Sequence, residues 1–193
     1  MRYLSELLKK DLGRKMLLLS GPRQVGKTTL SKELFGPEHC EYLNWDILRH
    51  RQIIKLESWN QDKALLILDE IHKLKTWKNL LKGIVDQKAK QKILVTGSAK
   101  LETFRKSGDA LTGRYFHYRL YPFDYAEALK YTKLSPDEIL RRLQVTGGFP
   151  EAFFNPEDAN RLRKNRIEQV FQEDLRELTQ VQSLKSISFL VEL

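Results

Sequence analysis

The sequence has one cysteine, no long apolar run and no internal repeat. Cys40 is the only cysteine in 193 residues, so no disulfide can form within the chain. This usage favours a reducing compartment, and we expect a cytoplasmic protein. No stretch approaches the roughly 20 apolar residues of a membrane span, and the amphipathic amino terminus lacks the apolar core of a secretory signal. We therefore expect no membrane partner.

Acidic residues are also in the minority. The chain carries 34 Lys and Arg against 25 Asp and Glu, which gives a net charge of +9. The imbalance is local, because Asp86 is the only acid between seven lysines, at positions 73, 75, 78, 82, 88, 90 and 92. Such a run permits DNA binding through a basic surface, and a solvated helix face is the alternative. No series of aromatic residues alternates with the lysines, so stacking on single strands is not indicated.

The composition that remains is that of a globular protein. Hydrophobic residues make up 41% and charged residues 31% of the chain, which is long enough for one large domain, with or without a small appendage. Five short segments, interpreted as strands, fall at 15–20, 41–45, 64–68, 92–96 and 115–120. Helical patterns occupy 1–13, 28–35, 46–56 and 77–85 between them. This alternation predicts an α/β fold with a parallel sheet covered by helices on both faces.

One motif dominates the first half of the chain. It fits G-x-x-x-x-G-K-[ST] at every fixed position and consists of Gly21, Pro22, Arg23, Gln24, Val25, Gly26, Lys27 and Thr28. A strand precedes it and a helix follows it, which argues against a chance glycine turn with a stray lysine. The glycines let backbone N–H groups surround a phosphate, and the helix that follows presents its amino-terminal donors to it. We predict that Lys27 reaches the β- and γ-phosphates and that the Thr28 hydroxyl binds Mg²⁺.

An acidic pair ends the third predicted strand. Asp69 and Glu70 lie where open parallel sheets bind their ligands, at the carboxyl end of a buried strand. We expect Asp69 to hold Mg²⁺, mainly through water, and Glu70 to orient and deprotonate the attacking water. A surface turn that is merely acidic is the alternative.

Two further polar residues are candidates for the same chemistry. Ser98 follows the fourth strand and is expected to position the water, although it could simply cap the next helix. Arg114 precedes the fifth strand and is a candidate arginine finger that reaches the nucleotide of a neighbouring subunit. Arg105 is a rival for that role, and an ordinary surface arginine is the alternative. His72 is interpreted as a hydrogen-bonded or exposed side chain without a catalytic role.

After Pro122 the pattern changes to short helices with clear starts. Asp124 with Glu127 predicts a capping box, Ser135 precedes a proline at the first helical position, and Asn155 before Pro156 predicts another helix start. Gly147-Gly148-Phe149-Pro150 interrupts the helices. This segment is expected to close on an adenine ring, with a plain turn as the alternative.

Five segments together resemble the prokaryotic AAA-type ATPases of AAA domain family 14. They are GPRQVGKTTL, LLILDEIHK, ILVTGSA, LTGRYFHYRLYPFDYAEAL and GGFPEAF, in that order. The resemblance implies a P-loop NTPase fold with strand order 5-1-4-3-2 and a small helical lid. It also implies Mg-ATP bound by Gly21, Gly26, Lys27, Thr28 and Thr29, with Asp69 and Glu70 as the acidic pair, Ser98 as sensor and Pro150 near adenine.

The resemblance implies a division of the chain as well. We expect a first helix at 1–13, an ATPase core at 14–122, a helical lid at 123–155 and the start of a truncated carboxyl-terminal domain at 156–193. The leading functional hypothesis is an ATPase that couples hydrolysis of Mg-ATP to conformational change or assembly, with a homo-oligomer as one form of assembly. The alternative is a nucleotide-gated switch or DNA-binding module with little hydrolysis. A GTPase is disfavoured because no N-K-x-D follows the fourth strand, and a small-molecule kinase because Glu70 suits activation of water.

Overall fold

The computed structural model describes residues 2–87, 90–98 and 111–170. The chain divides into two compact units, and the boundary in the sequence falls between Tyr121 and Pro122. The first unit contains a parallel sheet and the second contains helices. Of the sequence-based expectations, those for Lys88, Arg105 and residues 171–193 lie outside the described residues.

The first unit is built on five parallel strands. They are β1 (Met16–Ser20), β2 (Cys40–Asn44), β3 (Leu65–Asp69), β4 (Lys92–Thr96) and β5 (Tyr115–Arg119). Their order across the sheet is β2-β3-β4-β1-β5, which confirms the predicted order read from the opposite edge. β4 lies between β1 and β3, so the segments that follow these three strands emerge side by side at the carboxyl edge of the sheet.

Helices cover both faces of this sheet. They are α1 (Ser5–Leu12), α2 (Lys27–Glu33), α3 (Leu48–Leu56) and α4 (Trp77–Asp86). Successive strand residues point to opposite faces, so Leu18 and Leu66 pack with α3 and α4, whereas Leu17 and Ile67 pack with α1 and α2. Burial on both faces explains why β1, β3 and β4 have nearly continuous apolar sequences.

The start of α3 differs from the prediction. The sequence pattern indicated a helix from position 46, but α3 begins at Leu48. The Asn44 side-chain oxygen accepts a hydrogen bond of 2.7 Å from the Asp46 backbone N–H. This Asx turn supplies a local partner for that N–H and delays the helix by two residues.

The second unit contains α5 (Tyr125–Tyr131), α6 (Pro136–Thr146), α7 (Pro150–Phe154) and α8 (Ala159–Gln169). Two predicted caps are confirmed, because the Asp124 carboxylate accepts from the Glu127 N–H and the Ser135 hydroxyl oxygen accepts from the Glu138 N–H. The helical start predicted at Asn155 and Pro156 is confirmed, because Asn155 precedes a 3₁₀ turn that begins at Pro156, but the Asn155 side chain does not cap it. The Asn155 side-chain amide donates backwards to the Glu151 carbonyl at 2.9 Å, and this short 3₁₀ turn (Pro156–Asp158) precedes α8.

Candidate nucleotide-binding site

The loop between β1 and α2 has the backbone that a phosphate cradle requires. Gly21, Gln24 and Gly26 have φ values of 151°, 61° and 94°. A Cβ at Gly21 would collide with the backbone carbonyl oxygen of Leu120, so this position has room only for glycine. Left-handed residues at such intervals turn neighbouring N–H groups towards one concave side. The fully buried Val25 side chain anchors the loop to the core of the sheet, while Gln24 is exposed.

Lys27 is the first residue of α2 and folds back over the loop. Its ammonium donates to the carbonyl oxygens of Gly21 at 2.9 Å and Pro22 at 2.8 Å. Lys27 is only 8% exposed, which is rare for a lysine and is sustained here by these bonds. Its charge is therefore held at the loop, whereas Thr29, two positions further along, is exposed.

Thr28 and Asp69 meet directly. The Thr28 hydroxyl donates to Asp69 Oδ2 at 3.1 Å, and the Asp69 side chain is buried at the end of β3. The other Asp69 oxygen, Oδ1, accepts from the Thr96 hydroxyl at 2.6 Å. Oδ2 accepts a second bond from the Tyr42 hydroxyl at 2.7 Å. The structure thus brings together the two residues that the sequence predicts as metal ligands.

Sequence reasoning missed Tyr42 and Thr96. Thr96 is the register partner of Asp69 on β4, and Tyr42 is the partner of Ile67, which shares a face of β3 with Asp69. A polar residue at the end of each strand was a signal for Thr96. The contact of Tyr42 with Asp69 could be predicted only from the register of β2 and β3.

Glu70 has a strained backbone and a largely buried carboxylate. Its φ is 55°, in the left-handed region, and its backbone N–H donates to the Thr96 carbonyl at 2.9 Å. Burial raises the pKa of the Glu70 carboxyl, while the nearby charge of Lys73 opposes that shift. Within the described part of the chain, Glu70 Oε2 accepts no hydrogen bond. Lys73 Nζ lies 3.8 Å from this oxygen. Such a carboxylate retains the capacity to accept a proton.

His72 lies on the turn that follows Glu70. Its side chain is fully buried, and its Nε2 lies 3.6 Å from Glu70 Oε2. Of the two expected environments, hydrogen-bonded or exposed, exposure is therefore wrong.

Ser98 and Arg114 lie at opposite ends of the strands. Ser98 follows the carboxyl end of β4, and Arg114 precedes the amino end of β5. Ser98 is 3% exposed and follows β4, the strand between the loop strand and the Asp69 strand. Arg114 precedes β5, whose first residue pairs with Met16 at the start of β1. Its guanidinium donates to Asp86 through Nε at 2.9 Å and Nη2 at 3.3 Å. The structure therefore does not bring Arg114 to the loop of its own chain.

Pro150 is the first residue of α7 in the second unit. Its expected contact with adenine stays a prediction.

The six lysines of this run that the structure describes do not lie on one helix face. Lys73 is paired with Asp46 at 2.6 Å, Lys78 and Lys82 lie on α4, and Lys92 begins β4 with its ammonium 5.4 Å from the Phe35 ring centroid. Charges spread over separate elements give no specific support to a DNA-binding surface.

The donor set at Thr28 and Asp69 fits Mg²⁺ that arrives with a nucleotide. Among the residues that the structure describes, no three His, Cys, Asp or Glu side chains cluster as a protein-only metal site. Mg²⁺ commonly uses one or two protein ligands and takes its remaining oxygens from phosphate and water. A hydroxyl and a buried carboxylate, next to a loop with the backbone that a phosphate cradle requires, meet that requirement. In residues 2–87, 90–98 and 111–170, no helix has the length and apolarity that crossing a membrane demands.

Comparisons with solved structures find similar folds. The Hsp104–ADP complex of S. cerevisiae has a TM-score of 0.54 at 13% identity, over 95% of this chain and 35% of that chain. A signal transduction ATPase with a tetratricopeptide repeat sensor, from Pyrococcus horikoshii, has a TM-score of 0.48 at 16% identity, over 77% and 28%. The RuvB Holliday junction branch migration motor of Thermotoga maritima has a TM-score of 0.47 at 18% identity, over 82% and 58%.

These similarities concern the fold alone, and of the three TM-scores only that of Hsp104 exceeds 0.5. The chain spans less than two thirds of each of these proteins. No curated protein matches it. The model of AAA domain family 14, described as an AAA domain, matches residues 13–129, which is more than half of the sequence. The chain therefore belongs to this AAA domain family and has its P-loop NTPase fold.

Proposed function

We propose that this protein binds Mg-ATP at the loop between β1 and α2 and hydrolyses its terminal phosphoanhydride bond. Hydrolysis would drive a conformational change or a change of assembly. The observation that carries the proposal is the 3.1 Å hydrogen bond between Thr28 and Asp69, which joins the phosphate loop to a carboxylate on a separate strand. Membership of an AAA domain family supports an ATPase at the general level. A cytoplasmic location belongs to the same proposal and is supported by the single, buried cysteine.

The loop binds the phosphates. Its N–H groups donate to phosphate oxygens on the concave side. The Lys27 ammonium leaves the carbonyl oxygens of Gly21 and Pro22 and donates instead to phosphate oxygens, which carry more negative charge. Since the ammonium is already within the loop, little reorganisation is needed to place it on the β- and γ-phosphates.

Thr28 and Asp69 would hold Mg²⁺. The Thr28 proton is donated to Asp69, which leaves lone pairs of the hydroxyl oxygen available for a metal ion. Asp69 already accepts three hydroxyl hydrogen bonds, which suits contact through water. When bound, Mg²⁺ neutralises charge that develops on the phosphate oxygens.

Glu70 is the proposed general base. A water molecule attacks the γ-phosphorus, its proton passes to the Glu70 carboxylate, and the bond to the ADP oxygen breaks. Burial raises the pKa of Glu70, which makes its carboxylate a better proton acceptor near neutral pH. Ser98, at the end of the neighbouring strand, is proposed to orient the same water.

Arg114 is proposed to act on the nucleotide of a second subunit. Arg114 lies at the amino end of β5 and is paired with Asp86. This position favours a role at a neighbouring subunit over one at the loop of its own chain. The proposal requires a homo-oligomer. Mass in solution with and without a non-hydrolysable ATP analogue should show subunits associating in its presence. A monomer under both conditions would remove the role of Arg114.

ATP turnover by the wild-type protein and Glu70→Gln tests the enzyme proposal. We expect measurable hydrolysis by the wild type, a loss of at least about 100-fold in Glu70→Gln, and nucleotide binding retained by both. Glu6→Gln, an exposed change on α1, is the control and should leave turnover intact. Binding without turnover in the wild type would replace the ATPase by a nucleotide-gated switch.

A further inference from the structure

Tyr42 lies beside Asp69, the proposed metal ligand, without being part of any motif. Its hydroxyl donates to Asp69 Oδ2 at 2.7 Å, a shorter hydrogen bond than the 3.1 Å bond from Thr28 to the same oxygen. β2 and β3 are parallel neighbours, and Tyr42 pairs with Ile67, two residues before Asp69. The Tyr42 and Asp69 side chains therefore lie on one face of the sheet, and the Tyr42 hydroxyl on β2 contacts the last residue of β3.

The Tyr42 ring is itself held on two sides. The Asn44 side-chain amide donates to the Tyr42 oxygen at 3.2 Å, and the Lys32 ammonium lies 3.9 Å from the ring centroid. A cation over an aromatic face is attracted by the ring, and Lys32 belongs to α2, the helix that begins with Lys27. A phenol hydroxyl is protonated at neutral pH, so the Tyr42 hydroxyl donates to the Asp69 carboxylate.

The Asp69 carboxylate is thereby fixed through both of its oxygens. Oδ1 accepts from Thr96, and Oδ2 accepts from Thr28 and Tyr42. A carboxylate has about four acceptor sites, so three protein hydroxyls leave about one for another donor. Thr28 is also proposed to bind the metal ion. Tyr42 is therefore the hydrogen-bond donor to Oδ2 that has no second role in the proposed site.

We propose that Tyr42 is a positioning residue that holds Asp69 in the orientation needed for Mg²⁺-dependent nucleotide binding. This inference rests on the proposed function of the loop. Tyr42 acts through Asp69 and need not touch the nucleotide.

Tyr42→Phe removes the hydroxyl and keeps the ring on which Lys32 lies, so the variant should fold. Losing one hydrogen bond to a charged acceptor should raise the Mg²⁺ concentration for half-maximal tightening of nucleotide binding about tenfold. Affinity measured in EDTA should not change, because the loop and Lys27 are intact. A purely structural role would instead lower the melting temperature without moving the Mg²⁺ dependence.

Tyr118→Phe is the matched control. Tyr118 lies on β5, and its hydroxyl also donates to an aspartate, Asp11. Asp11 belongs to α1 and lies outside the phosphate loop. This variant loses the same kind of bond, so it should alter stability and leave the Mg²⁺ dependence at the wild-type value.

Calorimetric titration of the three proteins with a non-hydrolysable ATP analogue, over a series of Mg²⁺ concentrations, tests the inference. A tenfold shift in Tyr42→Phe alone supports it. Equal Mg²⁺ dependence in the wild type and Tyr42→Phe overturns it, while leaving the proposed function standing. Absence of nucleotide binding by the wild type would overturn both.

Discussion

The Thr28 hydroxyl donates a hydrogen bond to the Asp69 carboxylate at 3.1 Å across 41 positions of the sequence. Thr28 follows β1 and Asp69 ends β3, and β4 lies between these two strands in the sheet. The contact therefore spans the carboxyl edge, where parallel α/β sheets place their ligands. It connects the end of the loop that would surround the phosphates with the carboxylate that would help to hold the metal ion.

Lys27→Ala should abolish detectable ATP binding. The ammonium provides charge-assisted hydrogen bonds at the loop, and their loss should weaken affinity by at least about 100-fold. Calorimetric titration with ATP measures the effect. Lys10→Ala removes an exposed lysine from α1 and should bind as the wild type does. Equal affinity in Lys27→Ala and Lys10→Ala would mean that ATP binds elsewhere.

Glu70→Gln should make the folded protein more stable at neutral pH. The raised pKa means that the folded state binds the Glu70 proton more tightly than the unfolded chain. The corresponding contribution to stability is present below the ordinary pKa of 4.5 and is lost as pH rises through the raised value. Thermal unfolding of both proteins should show a higher melting temperature for Glu70→Gln at pH 7 and little difference near pH 4. A lower melting temperature at pH 7 would contradict the burial argument.

Lys73→Met should shift the pH dependence of turnover. The charge of Lys73 lowers the pKa of Glu70 and so opposes the effect of burial. Without it the pKa rises further, less Glu70 is ionised at a given pH, and the acid limb of kcat/KM moves to higher pH. Lys75→Met, an exposed neighbour, should leave the limb in place. A limb that stays fixed in Lys73→Met would exclude Glu70 as the group that titrates.

Gly21→Ala should destabilise the protein by about 1–3 kcal/mol, because the new Cβ meets the Leu120 carbonyl oxygen at a φ of +151°. Gly83→Ala is the opposite case. Gly83 lies within α4, a Cβ there meets nothing within 4 Å, and alanine should stabilise the helix by about 1 kcal/mol. Urea unfolding of both variants measures the difference. Equal stability of the two would show that the loop adjusts to the side chain.

Much of the fold followed from local pattern. Residues 92–96 were predicted as a strand with the bounds that the structure shows, and the other strands agree within one residue. Buried parallel strands have continuous apolar sequences, which are recognisable without tertiary information. The start of α3 was missed because the Asp46 N–H donates to the Asn44 side-chain oxygen, and this hydrogen bond competes with the helix.

Residues of the candidate site were predictable only where a motif marks them. Lys27, Thr28, Asp69 and Glu70 belong to patterns with a known chemical logic. Thr96 had only the weak signal of a polar residue at a strand end, and Tyr42 had none, because its contact with Asp69 depends on the register of β2 and β3. The pairing of Arg114 with Asp86 is non-local in the same way.

A crystal structure of the protein with Mg²⁺ and a non-hydrolysable ATP analogue tests the central claim most directly. We expect the β- and γ-phosphates within hydrogen-bonding distance of Lys27 Nζ, with the metal ion bound to the Thr28 hydroxyl and to a water held by Asp69. Nucleotide bound away from residues 21–28, or a metal ion that contacts neither Thr28 nor the water on Asp69, would contradict it.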